Sequence, residues 1–189
     1  MTAVVSTPPV VVERPRRFPA LVEAELDRRR MHLLERARGR VLDLDRPEAR
    51  AEIARASIER HVVPAYDSAV SVAQLVRFPD LAAALRGIDR LLALDGELLV
   101  VEPTSRPGLI PLFLDSLWAR TRWIGGFHVA RDVTAALRST TFVLDDIERF
   151  AMPTAVTSLR CAVEVHAVRV VVPQLTGSIS LETAPEAAP

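Results

Sequence analysis

Ser71 and Glu102 each interrupt or close an apolar run, Ser71 within residues 68–72 and Glu102 directly after residues 98–101. Short apolar runs of this kind suit strands buried on both faces of a parallel sheet. Open α/β sheets bind ligands in the crevice at the carboxyl ends of their strands, so a hydroxyl and a carboxylate here are placed to line a cleft. A second cluster, Asp43, Asp45, Arg46, Pro47 and Glu48, closes the run Arg40-Val41-Leu42-Asp43-Leu44. It has no glycine, and Pro47 offers no N–H, so its backbone is a poor cradle for a bound ligand. Asp45, with Glu48 three residues on and Pro47 between them, instead meets the rule for a self-capped helix start. The single cysteine, Cys161, excludes an internal disulfide, argues against a thiolate metal cluster and is expected in a strand core. His61 and His166 have no second ligand at metal spacing and are expected to be structural. Arg28-Arg29-Arg30, with Arg14, Arg16 and Arg17, offers phosphate groups a basic patch. Glu23, Glu25, Asp27 and Glu35 intervene, and a solvated helix face is the expectation.

The elements that position these groups follow from periodicity. A helix is expected over residues 20–37 and another over residues 47–60. Pro79-Asp80 opens a third, in which Leu81, Leu85, Ile88 and Leu92 recur at three- and four-residue spacing and need a packing partner. Asp95-Gly96 is a turn signal before the strand at residues 98–101. Strand, helix and strand in this span make a right-handed parallel crossover. Residues 1–18, rich in proline, valine and arginine, read as a flexible arm, residues 19–172 as one domain and residues 173–189 as a disordered tail.

With 189 residues and 49 % hydrophobic content, the chain can bury a substantial core. Its formal net charge of zero supplies no general attraction to nucleic acid or an anionic membrane. No apolar run approaches the ~18 residues of a membrane span, and the N-terminus lacks a signal-peptide pattern, so a cytoplasmic location is expected. All 24 basic residues are arginine, a codon signature of a GC-rich genome of the actinobacterial kind.

Residues 66–103, YDSAVSVAQLVRFPDLAAALRGIDRLLALDGELLVVEP, resemble the second half of a class I S-adenosylmethionine-dependent methyltransferase of the type that includes the ubiquinone/menaquinone group. Tyr66-Asp67 resembles the start of that family's fourth strand, Phe78-Pro79-Asp80 the loop before the next helix, and residues 98–103 the fifth strand. Gly125-Gly126-Phe127-His128, Arg131-Asp132 and Ala135-Ala136-Leu137 resemble the segment entering the last helix. Residues 140–153 and 158–172 resemble the terminal antiparallel hairpin, and residues 40–44 the first strand. The resemblance implies a truncated, Rossmann-like class I methyltransferase α/β sheet of strand order 1-4-5-7-6.

It also implies what is missing. The family's first strand runs into a glycine-rich loop that holds the cofactor, where this chain has Asp43, Asp45, Arg46 and Pro47. Asp43 and Asp67 lie 24 positions apart, too few for further βα units, since one βαβ unit takes about 30 residues. Strands two and three are therefore expected to be absent, with His61-Val62-Val63 as a remnant. The acidic residue about 20 positions after the glycine loop goes with them; Glu52 and Glu59 fall within the connecting helix. By the same resemblance His128 faces the acceptor and is the candidate base. Trp118 and Trp123, with Phe113 and Leu117, cover the substrate or pack in the core, and the cleft candidates are Ser71, Glu102, Trp118 and His128.

The expected function is that of a methyltransferase-like protein without the cofactor loop, non-catalytic and acting as a scaffold, regulator or partner subunit, with no cofactor. The alternative is an active enzyme on a small-molecule acceptor, its S-adenosylmethionine site altered or completed across a dimer. Without its outer strands the sheet would leave Val41, Leu42 and Leu44 on an exposed edge. A homodimer, or a complex with a full-length methyltransferase through residues 41–44, is expected there.

Overall fold

The computed structural model describes residues 20–104, 132–154 and 160–170. Its elements run α1 (Ala20–Arg36), β1 (Val41–Asp43), α2 (Pro47–Ile58), β2 (Tyr66–Val72), a 3-10 turn (Leu75–Arg77), α3 (Leu81–Leu91), β3 (Leu92–Pro103), α4 (Val133–Arg138), β4 (Phe142–Ala151) and β5 (Cys161–Arg169). Period-two alternation puts successive side chains of each strand on opposite faces. Ala69, Leu98 and Val100 pack with Ile53 of α2, Leu85 and Ile88 of α3 and Leu137 of α4. Val70, Val72, Leu99 and Val101 pack with Val22, Leu26 and Leu33 of α1. The central strands are thus covered on both sides, as their apolar runs require.

The sheet order is β1-β2-β3-β5-β4, with β1, β2 and β3 parallel and β5 antiparallel to both β3 and β4. This is the expected order, with α2 as the one helix between β1 and β2. Caps set the ends of the shorter helices: Asp80 accepts from Ala83 N at 2.9 Å to start α3, and Asp132 accepts from Ala135 N at 2.9 Å to start α4. Helices α2 and α3 lie so close that a β-carbon on Gly87 would sit 2.3 Å from the Ile53 carbonyl oxygen. Arg90 of α3 ties them further by donating to the carbonyls of Ala56 at 3.0 Å and Ser57 at 3.3 Å, at the end of α2. Asp67 accepts from Arg40 N at 2.7 Å beside Gly39, whose φ of +59° suits glycine.

Four expectations change. Asp95-Gly96 marks a bulge inside a strand rather than a turn before one: β3 already begins at Leu92, and its register with β2 passes from Tyr66 opposite Leu92 to Ser68 opposite Glu97. Asp95, not glycine, takes the left-handed φ of +62°. Gly96 is needed for room, since a β-carbon there would lie 2.9 Å from the Ala93 carbonyl oxygen. Helix α2 starts at Pro47 with Arg46 as its N-cap residue and no side-chain cap, so Asp45 does not cap it. Its carboxylate is committed elsewhere. Residues 61–63 form no strand, and His61 is exposed. Leu42 and Leu44 are buried beneath α2 and α3 rather than exposed along the edge. Among the described residues, no helix is long and apolar enough to cross a membrane.

Candidate functional site at the strand ends

The carboxyl ends of β1, β2 and β3 bring together Asp43, Asp45, Ser71, Gln74 and Glu102. Arg30 reaches the same end from α1. Its guanidinium donates to Asp43 Oδ2 and lies 3.1 Å from Asp45 Oδ2, while Gln74 donates to Asp45 Oδ1. Asp45 N donates to Asp43 Oδ1 at 3.0 Å, and Arg46 N to the Asp43 carbonyl at 3.2 Å. Leu44 N donates to the Val70 carbonyl of β2 at 2.9 Å, so the N–H groups of Leu44, Asp45 and Arg46 are all engaged. Burial pushes Asp45 above the usual carboxylate range, with Asp43 adding to the shift against the pull of Arg30 and Gln74. Burial works against charge on Arg30, but its hydrogen bond to Asp43 and the charges of Asp43 and Asp45 outweigh it and hold the guanidinium above its ordinary value.

Ser71 and Glu102 touch: the Ser71 hydroxyl donates to Glu102 Oε1 at 2.9 Å. They do not line an open cleft. Both are fully buried, and the carboxylate also accepts from Leu75 N at 2.7 Å and Val76 N at 3.4 Å, the first N–H groups of the 3-10 turn. Burial pushes Glu102 up to about 7, even though these N–H groups and the Ser71 hydroxyl favour its charged form. Trp118 and His128 lie outside the described residues.

Arg30 and Gln74 are the site residues that sequence reasoning missed. Arg30 was hidden in its triplet, and the only signal for Gln74 was a polar residue just past an apolar strand. The triplet is no phosphate patch and divides: Arg28 lies on the solvated helix face, whereas Arg29 and Arg30 are half-buried in ion pairs. Arg28 pairs with Glu25 at 2.6 Å, and Arg29 pairs with both Glu25 and Glu164 and stacks 3.4 Å from the centre of the Phe150 ring. Arg28, Arg29, His32, Glu148 and Glu164 line an open hollow of about 210 Å³ in which the charges largely cancel. At the opposite end of the sheet, His166 Nδ1 lies 3.1 Å from Asp145 Oδ2 and its Nε2 lies 3.7 Å from Glu97 Oε2. Cys161 is half-buried on β5. Among the described residues no cluster of histidine, cysteine or carboxylate side chains could hold a metal ion.

No family model and no curated protein matches the chain. Solved structures do. The YcgJ protein of Bacillus subtilis is 12 % identical with a TM-score of 0.50, over 62 % of this chain and 69 % of that one. An S-adenosylmethionine-dependent methyltransferase of Methanosarcina mazei is 17 % identical with a TM-score of 0.46, over 62 % and 65 %. One of Thermotoga maritima is 13 % identical with a TM-score of 0.42, over 60 % and 61 %. At such identities the likeness is one of fold alone, that of an open, five-stranded, Rossmann-like α/β sheet.

Proposed function

We propose that this chain is a shortened methyltransferase-like protein that does not transfer methyl groups and acts through contacts, as a scaffold, regulator or partner subunit. What carries the reading is the loop after β1. Its carboxylates are held by Arg30 and Gln74, the N–H groups of Leu44, Asp45 and Arg46 are already engaged, and Pro47 carries it straight into α2. A nucleotide-like cofactor needs free backbone donors and close backbone approach at this point. The residues present do not fit that need, and no catalytic step is derived through such a group. α2 alone joins β1 to β2, and the carboxylates at the described strand ends, Asp43 and Glu102, are taken up by Arg30 and by the 3-10 turn rather than free to hold a ribose.

Calorimetric titration with S-adenosylmethionine and S-adenosylhomocysteine is expected to give no saturable heat up to millimolar ligand. One-site saturation would overturn the reading and restore an enzyme with an altered or dimer-completed site. The partner is expected at the edge of β1, which pairs only with β2 among the described residues. Since Leu42 and Leu44 are already buried, the partner would meet the strand's backbone and half-buried Val41 rather than apolar side chains. A second copy or a complete methyltransferase fits that edge. A monomer at micromolar concentration by light scattering would remove self-association.

A further inference from the structure

Glu102 is a fully buried carboxyl group with a mechanical position. It stands near the end of β3 and reaches sideways to the loop leaving β2, where Leu75 N, Val76 N and the Ser71 hydroxyl all donate to it. That loop begins at Ala73, whose φ of +53° is left-handed. Such a conformation costs a residue with a β-carbon roughly 1–2 kcal/mol, so the surrounding contacts must hold it in place. Ala73 N donates to the Val101 carbonyl at 2.8 Å, and Gln74, the next residue, holds Asp45 beside Arg30. One short segment therefore touches both the buried carboxyl group and the ion pairs over the end of β1.

We propose that Glu102 is a proton-operated latch: protonated, it keeps residues 73–77 folded over the strand ends, and its ionisation increases how often this segment opens and releases Asp45 and Arg30. The direction follows from solvation. In the closed segment the ionised carboxylate is cut off from water, whereas in an opened segment water reaches it. The closed form therefore binds the proton more tightly, and rising pH favours opening. Burial places the group's titration at about 7 when closed. Leu75 and Val76 are buried in the core and oppose release, so the open form is a minor state whose population changes.

Among the described residues, the charged and polar groups around the latch are few. Ser71 faces it from β2, and its register partner on β5, Val163, is uncharged. Arg77 on the segment attracts the carboxylate, and Arg50 of α2 acts on Arg77. Asp45 is the other carboxyl group tied to the segment, through Gln74.

Amide exchange at Leu75 and Val76, corrected for the intrinsic pH dependence of exchange, tests the proposal on the full chain. Protection is expected to fall about tenfold between pH 6 and pH 8, to stay flat in Glu102→Gln and to fall as in the parent in Asp45→Asn. A flat parent profile, an undiminished fall in Glu102→Gln or a flat Asp45→Asn profile would each overturn it. Should Glu102→Gln not fold, Ser71→Ala decides: removing a donor to the charged form is expected to carry the end of the fall to higher pH. An unchanged Ser71→Ala profile would refute the latch.

Discussion

Gly87→Ala is expected to lower the stability of the fold by about 2 kcal/mol, although helix propensity alone predicts a gain of about 1 kcal/mol from replacing glycine in a helix interior. The two effects have opposite signs, so their magnitudes decide. The new β-carbon would stand 2.3 Å from the carbonyl oxygen of Ile53 and 3.1 Å from its carbonyl carbon. Those atoms are backbone of α2, whose Ala49, Ile53 and Ala56 are buried in the core. Relief requires moving a whole helix, while Arg90 holds the end of that helix to α3. Urea unfolding of Gly87→Ala beside Ala82→Val, an exposed position on the same helix, would separate packing from propensity. A Gly87→Ala protein as stable as its parent would show that α2 and α3 are not locked together as described.

Glu102→Leu is expected to cost about 3 kcal/mol at pH 6, because it leaves the N–H groups of Leu75 and Val76 buried without an acceptor. The Ser71 hydroxyl also loses its acceptor. The deficit should shrink as pH rises. Burial raises Glu102 from 4.5 to about 7 in the folded protein. Its contribution to parent stability is then fully present below the unfolded value and lost as pH rises through about 7. Leucine does not titrate, so the variant lacks this loss and the gap narrows by about 1.4 kcal/mol, roughly half, between pH 6 and pH 8. Denaturant melts at pH 6 and pH 8 read both effects. A gap that widens with pH would mean that the hydrogen bonds to the charged form outweigh its burial.

The parts of this fold that were legible in the sequence are those that local chemistry decides. Leu81, Leu85 and Ile88 marked the buried face of α3, Asp80 its cap, and the apolar runs ending near Ser71 and Glu102 two central strands. The resemblance added the sheet order. What escaped depended on competition between partners brought together by the tertiary fold. Asp45 has the spacing of a helix cap, but Arg30 and Gln74, which arrive from α1 and from beyond β2, take its carboxylate. No local pattern distinguishes Arg30 from Arg28 and Arg29; their three sets of partners lie on α1 itself, across the sheet and at the end of β1. Ser71 and Glu102 were correctly placed at strand ends, yet their role reversed. Their polar atoms satisfy a backbone turn instead of facing a ligand.

The position of β5 between β3 and β4 also sets an order of events during synthesis. Strand β4 leaves the ribosome before β5, but in the sheet it pairs with β5 and not with β3. Until the last described strand emerges, β4 has no sheet to join and the far side of β3 stays open. The nascent chain therefore carries α1 through β3 as a partly built layer, to be completed only when the hairpin docks as a unit. A ribosome stalled before residue 161 would hold a chain in which the edge of β3 that β5 covers is unpaired.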